Sequence, residues 1–278
     1  MLDYLTFKPD LGQDEAVSAY DELPLWSSMF GLLLLKHIDL RPEMNVLDVG
    51  CGTGFPALEL AQRLGRASRV YAVDPWRIAL KRAHQKRRIW QLDNVELIGS
   101  DATALPFAEA RFDMVVSNLG INNFRDPERS LKECYRVMKD EGKVVLTTNL
   151  IGHMSELYVV FEATLESLGY SESIERLKEH IQTRATVESI ESLFEKTGFR
   201  LSRAEHEVET MRFSDGSALL RHYFIKLGFL GAWKRVVDPE DREAAFRKLE
   251  ENLNALARDR GDLCLTIPMA YLEGERTS

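Results

Sequence analysis

The stretch from Asn45 to Ala61, NVLDVGCGTGFPALELA, constrains this chain more than any other. Val46-Leu47-Asp48-Val49 is an apolar run of strand length, and such a run reads as a parallel strand buried on both faces. Gly50, Gly52 and Gly54 follow at every second position, and Ala57, Leu58, Leu60 and Ala61 open a helix. Strand, glycine turn and helix make the first unit of a doubly wound α/β domain. Its turn lets backbone approach a ligand closely at the carboxyl end of the sheet.

The spacing narrows the ligand. A dinucleotide-binding turn wants G-x-G-x-x-G, with the third glycine where strand and helix pack. Phe55 stands at that place here, and the third glycine comes one residue early, at Gly54. This disfavours a dehydrogenase. Asp48, two residues before the first glycine, repels a phosphate and attracts an ammonium group. The expected ligand carries a cationic amine rather than two phosphates.

With an acidic residue followed by alternating glycines, the chain resembles the class I S-adenosylmethionine-dependent methyltransferases over residues 40–150. The resemblance implies a Rossmann-like, doubly wound α/β fold with a seven-stranded sheet, last strand antiparallel, and helical cap insertions. It implies S-adenosyl-L-methionine as cofactor, released as S-adenosyl-L-homocysteine. Arg69 to Asp74 is the second strand and ends in an acid 24 residues beyond Gly50, where a doubly wound fold sets a carboxylate against a ribose diol. Two acceptor oxygens match two hydroxyl donors. Pro75 at a first helical position also suits Asp74 as a helix cap, and Trp76 offers an apolar face for adenine or a core aromatic.

By the same resemblance, Asp101 accepts from the adenine amine, and the Ala102 N–H meets a ring nitrogen. Gly50, Cys51, Gly52, Gly54, Asn118 and Leu119 line the methionine end. Tyr20, on an N-terminal helical segment that closes over the donor, faces the substrate. Asn122 or Asn123, after the fourth strand Phe112–Asn118, touches the acceptor; each is equally plausible as a turn residue. The N-P-P-[FY] sequence that marks amide and nucleic-acid amine methylation does not occur, which weighs against those acceptors.

Composition excludes other classes. Net charge is −8 with a pI near 5.4, against a general nucleic-acid binder. Cys51, Cys134 and Cys264 share no C-x-x-C spacing and read as reduced thiols of a cytoplasmic protein. The six histidines show no metal-ligand spacing, so no metal site is read. The start MLDYLTFKPD has no basic n-region and is not read as a signal peptide, and the run Leu32 to Leu35 is far below a membrane span.

Four segments are expected: a helical lid over 1–40 with Pro24 as start or kink, a donor-binding core over 41–150, a cap insertion over 151–184, and a C-terminal part over 185–278 carrying a helical insertion at 213–260. Helix is expected from Asp126-Pro127 to about Lys139, a polar turn at Lys139–Gly142, strand from Gly142 to Thr148, and an apolar helix pair between Phe213 and Trp233. Pro268 calls for an edge or bulge in the last strand. The phrases SELYVVFEATLESLGY, FSDGSALLRHYFIKLGFLGAW and LTIPMAYLEGER are similar to malonyl-carrier-protein O-methyltransferases.

Three functions follow. The first is methyl transfer to a small molecule. The second is carboxyl O-methylation of an acyl group on a carrier protein, docked through the basic helix Arg77–Trp90. The third is donor binding without catalysis. Arg221 is a candidate clamp for an acidic acceptor, and Tyr20, His153 and His222 are the candidate catalytic groups. Neither a nucleic acid nor a membrane is expected as partner.

Overall fold

The computed structural model describes residues 2–22 and 25–277. Pro24 lies outside them. The chain divides into two compact units. One comprises Leu11–Thr148, Thr186–Glu207 and Met269–Ser278; the other comprises Met1–Asp10, Asn149–Ala185 and Val208–Pro268. The two expected insertions, at 151–184 and 213–260, thus fall in a single unit, and of the expected lid only the first ten residues join them.

The first unit begins with α1 (Asp14–Asp21) and α2 (Leu25–His37). Then come β1 (Asn45–Val49), α3 (Ala57–Leu64), β2 (Arg69–Asp74), α4 (Arg77–Ile89), β3 (Val95–Gly99), β4 (Phe112–Asn118), α5 (Pro127–Val137) and β5 (Met138–Asn149), strand alternating with helix except between β3 and β4. Further on come α6 (Ser155–Leu168), α7 (Ser171–Gln182), α8 (Val187–Lys196), β6 (Phe199–Phe213), α9 (Gly216–Arg221), α10 (Tyr223–Gly228), α11 (Leu230–Val236), α12 (Arg242–Arg260) and β7 (Leu263–Arg276). The sheet order is β3-β2-β1-β4-β5-β7-β6, with the last strand antiparallel. β1 pairs in parallel with β2 and with β4, β2 with β3, and β4 with β5. Strand order therefore reverses between β1 and β4, the switch point where open α/β sheets bind ligands.

Burial explains the strands. Val46 to Val49 and Val70 to Val73 are buried throughout, because helices cover both faces of a parallel sheet. α3 sets Ala57, Leu58, Leu60, Ala61 and Leu64 into the core and stops at Gly65, whose φ of 67° only glycine adopts readily. α5 starts where Asp126 accepts from the Arg129 amide (2.9 Å) ahead of Pro127.

Two expectations change. Lys139–Gly142 is not a turn: β5 begins at Met138, one residue after α5 ends. The register jumps from Phe112↔Met138 to Met114↔Lys143, so the polar residues form an irregularity inside the ladder. Lys139 pairs there with Asp113 (2.8 Å), and a Cβ on Gly142 would meet the Phe112 carbonyl. The expected helix pair at 213–233 is three short helices, α9 to α11. They break at His222, where extended backbone ends α9, and at Phe229, directly after Gly228 closes α10. Pro268 lies in β7, an inner strand of the sheet order, where its carbonyl accepts from the Leu150 amide (3.0 Å).

The candidate donor site and its relatives

The carboxyl ends of β1, β2 and β4 lie side by side, and each presents the residues that the sequence marks. Gly50, Gly52 and Gly54 all take positive φ, of 85°, 51° and 104°. The turn is tied to β2 because Gly50 and Cys51 both donate to the Val73 carbonyl, at 2.9 and 3.2 Å. The glycines have different jobs. A Cβ on Gly54 would strike Leu58 (2.8 Å), so that glycine permits strand and helix to pack. A Cβ on Gly50 would press on the Gly120 Cα (3.3 Å), which makes it the crossing point with the β4 loop. Gly52 has nothing within 4 Å, so it borders open space. Phe55 has its own partner: a Cβ on Gly31 of α2 would overlap its ring.

Asp48 is fully buried. Its Oδ2 accepts from the Ala57 amide (3.1 Å), whereas Oδ1 has no partner. Burial pushes this carboxyl up to about 8, against the opposing Ala57 amide and with help from the Asp74 charge. A carboxylate with one orphaned oxygen suits an incoming ammonium, which supplies both a positive charge and a donor. Cys51 beside it is buried, and burial followed by the Asp48 charge raises its thiol.

Asp74 accepts from the Gly52 amide through Oδ2 (2.8 Å) and from the Trp76 amide through Oδ1 (2.7 Å). It thus braces the turn but does not cap α4, which starts at Arg77 with Trp76 at its N-cap, so Pro75 is not the first helical residue; each oxygen still keeps one lone-pair direction for a diol. Partial burial raises its pKa despite the two amides. Trp76 donates through Nε1 to the Leu11 carbonyl (3.1 Å) and meets the edge of the Tyr20 ring (centroids 5.5 Å). Burial, with Asp74 and Asp21 nearby, raises the Tyr20 phenol, which therefore stays protonated near neutral pH. Asp101 is exposed and lowered by the Thr103 amide and hydroxyl, both of which reach its Oδ1 (2.9 and 2.7 Å). Its Oδ2 remains available, and Ala102 beside it is buried.

At the end of β4, Asn118 donates to the Ser27 carbonyl (3.0 Å) and accepts from Thr147 (2.7 Å), so it ties α2 and β5 to β4. Leu119 takes a left-handed conformation (φ 63°). Asn122 accepts from Thr148 (2.6 Å), and Asn123 reaches the Leu119 carbonyl (3.5 Å), so both brace the loop.

The remaining candidates lie in the other unit. Arg221 is paired with Glu250 (2.6 Å) and Asp3 (3.1 Å) and lies over the Tyr4 ring, which makes it an internal brace. His153 is buried and driven down to about 3, by burial first and then by Arg184 and His180. It is neutral at physiological pH. His222 is also lowered by burial and meets Phe213 edge-on.

Half of the cations of the basic helix α4 are spoken for. Asp21 of α1, with a side chain only 9% exposed, takes Arg82 (2.8 Å) and Lys86 (2.6 Å), and Lys81 pairs with Asp14. Burial works against ionised Asp21, but hydrogen bonds from Lys86, Arg82 and Thr53 together hold it below its usual value. Three of the six cations are thus consumed within the fold, and the carrier-protein docking reading is not supported. Asp21 and Thr53 escaped the sequence analysis; the one local signal was an acid four residues before a helix start.

A switch-point site with an ammonium-seeking acid, an open glycine and a strand-end acid defines a nucleoside-binding α/β domain rather than a dinucleotide one. Comparisons agree. Residues 47–146 match the family described as Methyltransferase domain. A demethylmenaquinone methyltransferase of Oceanobacillus iheyensis is 34% identical over 139 residues, covering 49% of this chain and 58% of that protein. One from Geobacillus is 32% identical over 197 residues, covering 68% and 82%. Among solved structures, the YcgJ protein of Bacillus subtilis superposes with a TM-score of 0.59 at 18% identity, over 90% of this chain and all of that one. A SAM-dependent methyltransferase of Aquifex aeolicus gives 0.54 at 19% identity, over 69% and 91%. At such identities the likeness is one of fold.

The chain belongs to the class I S-adenosylmethionine-dependent methyltransferases. No helix of the described residues is long and apolar enough to cross a membrane, and these residues hold no cluster of three or more metal-ligating side chains.

Proposed function

We propose that this chain methylates a small organic acceptor, and that a demethylated quinol is the acceptor class to test first. The orphaned Asp48 oxygen beside open Gly52 carries the donor half of this reading. The acceptor half is supported by the names of the relatives, both demethylmenaquinone methyltransferases. The excess of acidic over basic residues and the missing N-P-P-[FY] sequence point away from nucleic acid.

S-adenosylmethionine supplies a methyl group already activated on a sulfonium. The protein's task is therefore mainly to position, which is worth about 7–11 kcal/mol in well-oriented reactions. On this reading Asp48 holds the amino end, Asp74 the ribose hydroxyls and Asp101 the adenine amine, while Trp76 flanks the base. Gly50, Cys51, Gly52, Gly54, Asn118 and Leu119 shape the wall between them. Tyr20, protonated, serves as a hydrogen-bond donor or steric guide rather than as a base. His153 is too acidic as an imidazolium to hold a proton near neutral pH.

The test is incubation of the full chain with methyl-labelled S-adenosylmethionine and a short-chain demethylmenaquinone reduced in place. A labelled product one methyl heavier, formed with stoichiometric S-adenosylhomocysteine, is expected. Donor binding with no labelled product, from the quinol or from a cell extract, sinks the reading in favour of a donor-binding protein without catalysis.

A further inference from the structure

The turn that ends α4 stands beside the turn that joins α3 to β2. Asn94 locks the two together by donating to the Ala61 and Gly65 carbonyls, both at 2.8 Å. Gln91, at a φ of 55°, closes α4 with its amide on the Arg88 carbonyl (3.2 Å), and Leu92 donates to the Arg87 carbonyl (3.1 Å). From the other turn, Arg69 donates to the Asp93 carbonyl (2.9 Å) and Arg66 approaches the Asp93 carboxylate (3.6 Å). The two turns thus form one braced tip.

At this tip Ile89 is 71% exposed and Trp90 is 45% exposed, two consecutive large apolar side chains left in water. Arginines surround them. Arg66, Arg69 and Arg88 are exposed, and Arg87 is half-buried with its Nε on the Leu92 carbonyl (3.2 Å). Arg66 meets Asp93, whereas Arg69, Arg87 and Arg88 make no ion pair among the described residues. Even with Glu96, exposed on β3 just beyond, four cations face two acids. Arg63 adds nothing, because Glu59 cancels it (2.7 Å).

Two ordinary explanations fall short. Basic residues in a last turn complement the helix dipole, which accounts for Arg87 and Arg88. It does not account for Arg66 and Arg69, which precede β2, or for Ile89 and Trp90. Single exposed apolar residues are common on any protein, but here two adjoin each other inside a ring of arginines. The net charge of −8 opposes an anionic partner at long range. At physiological salt, however, charges act over about 8 Å, so the cations of the tip decide what touches it.

We infer that the tip formed by Arg66, Arg69 and Arg87 to Trp90 docks on an anionic phospholipid bilayer. The Trp90 ring lies at headgroup level and Ile89 enters the acyl boundary. The arginines give paired N–H donors to lipid phosphates while their stems cover apolar surface. A fluid surface receives two exposed side chains without a preformed pocket, which an acidic protein would have to supply. The sequence expectation of no membrane partner rests on total charge and on the lack of a spanning run, and neither describes a local surface. The tip is at the far end of α4 from Trp76, about 18 Å away at the rise of a helix, so docking leaves the donor turn open.

The test is co-sedimentation of the full chain with vesicles of phosphatidylcholine alone, or mixed with phosphatidylglycerol, and titration with soluble poly-L-glutamate. Binding to the anionic vesicles is expected to be at least about ten-fold tighter than to the neutral ones and to weaken as salt rises. Trp90 emission should shift to the blue on the anionic vesicles, and Trp90→Phe should remove the shift. Arg66→Gln combined with Arg88→Gln should weaken binding about twenty-five-fold, at about five-fold for each basic residue. Ile89→Ser should also weaken it. All these side chains are exposed, so the melting temperature should stay that of the wild type. No binding by the wild type, equal binding to both vesicles, an unshifted emission, or undiminished binding by either the double variant or Ile89→Ser overturns the site. Poly-L-glutamate bound as tightly as the anionic vesicles assigns the patch to an acidic protein and overturns the bilayer. No turnover is measured, so the result stands or falls apart from the identity of the methyl acceptor.

Discussion

The Asp74 charge pushes Asp48 toward its protonated form across the glycine turn. The two acids are close enough to interact, yet differently housed: Asp48 is sealed in β1 with one oxygen orphaned, whereas Asp74 is half-buried and anchored by the Gly52 and Trp76 amides. A cation brought to Asp48 relieves both its desolvation and this repulsion. Proton uptake and donor binding should therefore be linked.

Donor binding should release a proton from Asp48. With its carboxyl raised to about 8, the ligand-free chain holds that proton at pH 7, and a bound ammonium expels it. Affinity for S-adenosylhomocysteine should rise between pH 6 and about pH 8, and calorimetry in buffers of different ionisation enthalpy should detect the released proton. Asp48→Asn should show neither effect.

The same group sets a stability trend. An acid whose folded pKa lies above its unfolded one makes the folded state bind the extra proton. Its contribution therefore weakens stability progressively from about pH 4 to about pH 8. Urea denaturation of the ligand-free chain should show this decline reduced in Asp48→Asn.

Gly52→Ala and Gly54→Ala should fail in different ways. At Gly52 the new methyl meets no protein atom and strains only the backbone, by about 1–2 kcal/mol. Melting should drop by a few degrees, while S-adenosylhomocysteine binding should weaken more than about ten-fold because the methyl enters the open side of the turn. At Gly54 it collides with Leu58 and Ala83, so stability should fall first.

Asp74→Ala strands two amides and should lower stability by about 2 kcal/mol, together with donor affinity. Asp74→Asn retains an acceptor and should recover part of the stability but little of the affinity. Equal donor binding by all three forms would show that Asp74 only caps the turn.

Asp21→Asn should destabilise by about 2 kcal/mol, less than a sealed ion pair because Arg82 remains partly exposed. Asp21 is held below its usual pKa, so its contribution is present above the ordinary carboxylate range and fades as pH falls through the lowered value. Urea midpoints of wild type and Asp21→Asn should converge at low pH.

The sequence by itself determined the donor half of this protein. Strand-length apolar runs, alternating glycines and acids at strand ends are local signals, and β1, β2 and β4 with Asp48, Gly52 and Asp74 follow from them. Its periodicity was less informative where short helices follow one another: α9 to α11 are only six or seven residues each and break where backbone conformation, not composition, dictates. Tertiary structure alone decided which charges are spent. Asp21 and the cations of α4 lie some sixty residues apart, and Arg221 meets Glu250 from another helix. Pairing of that kind depends on which helix faces touch, information that no local spacing carries.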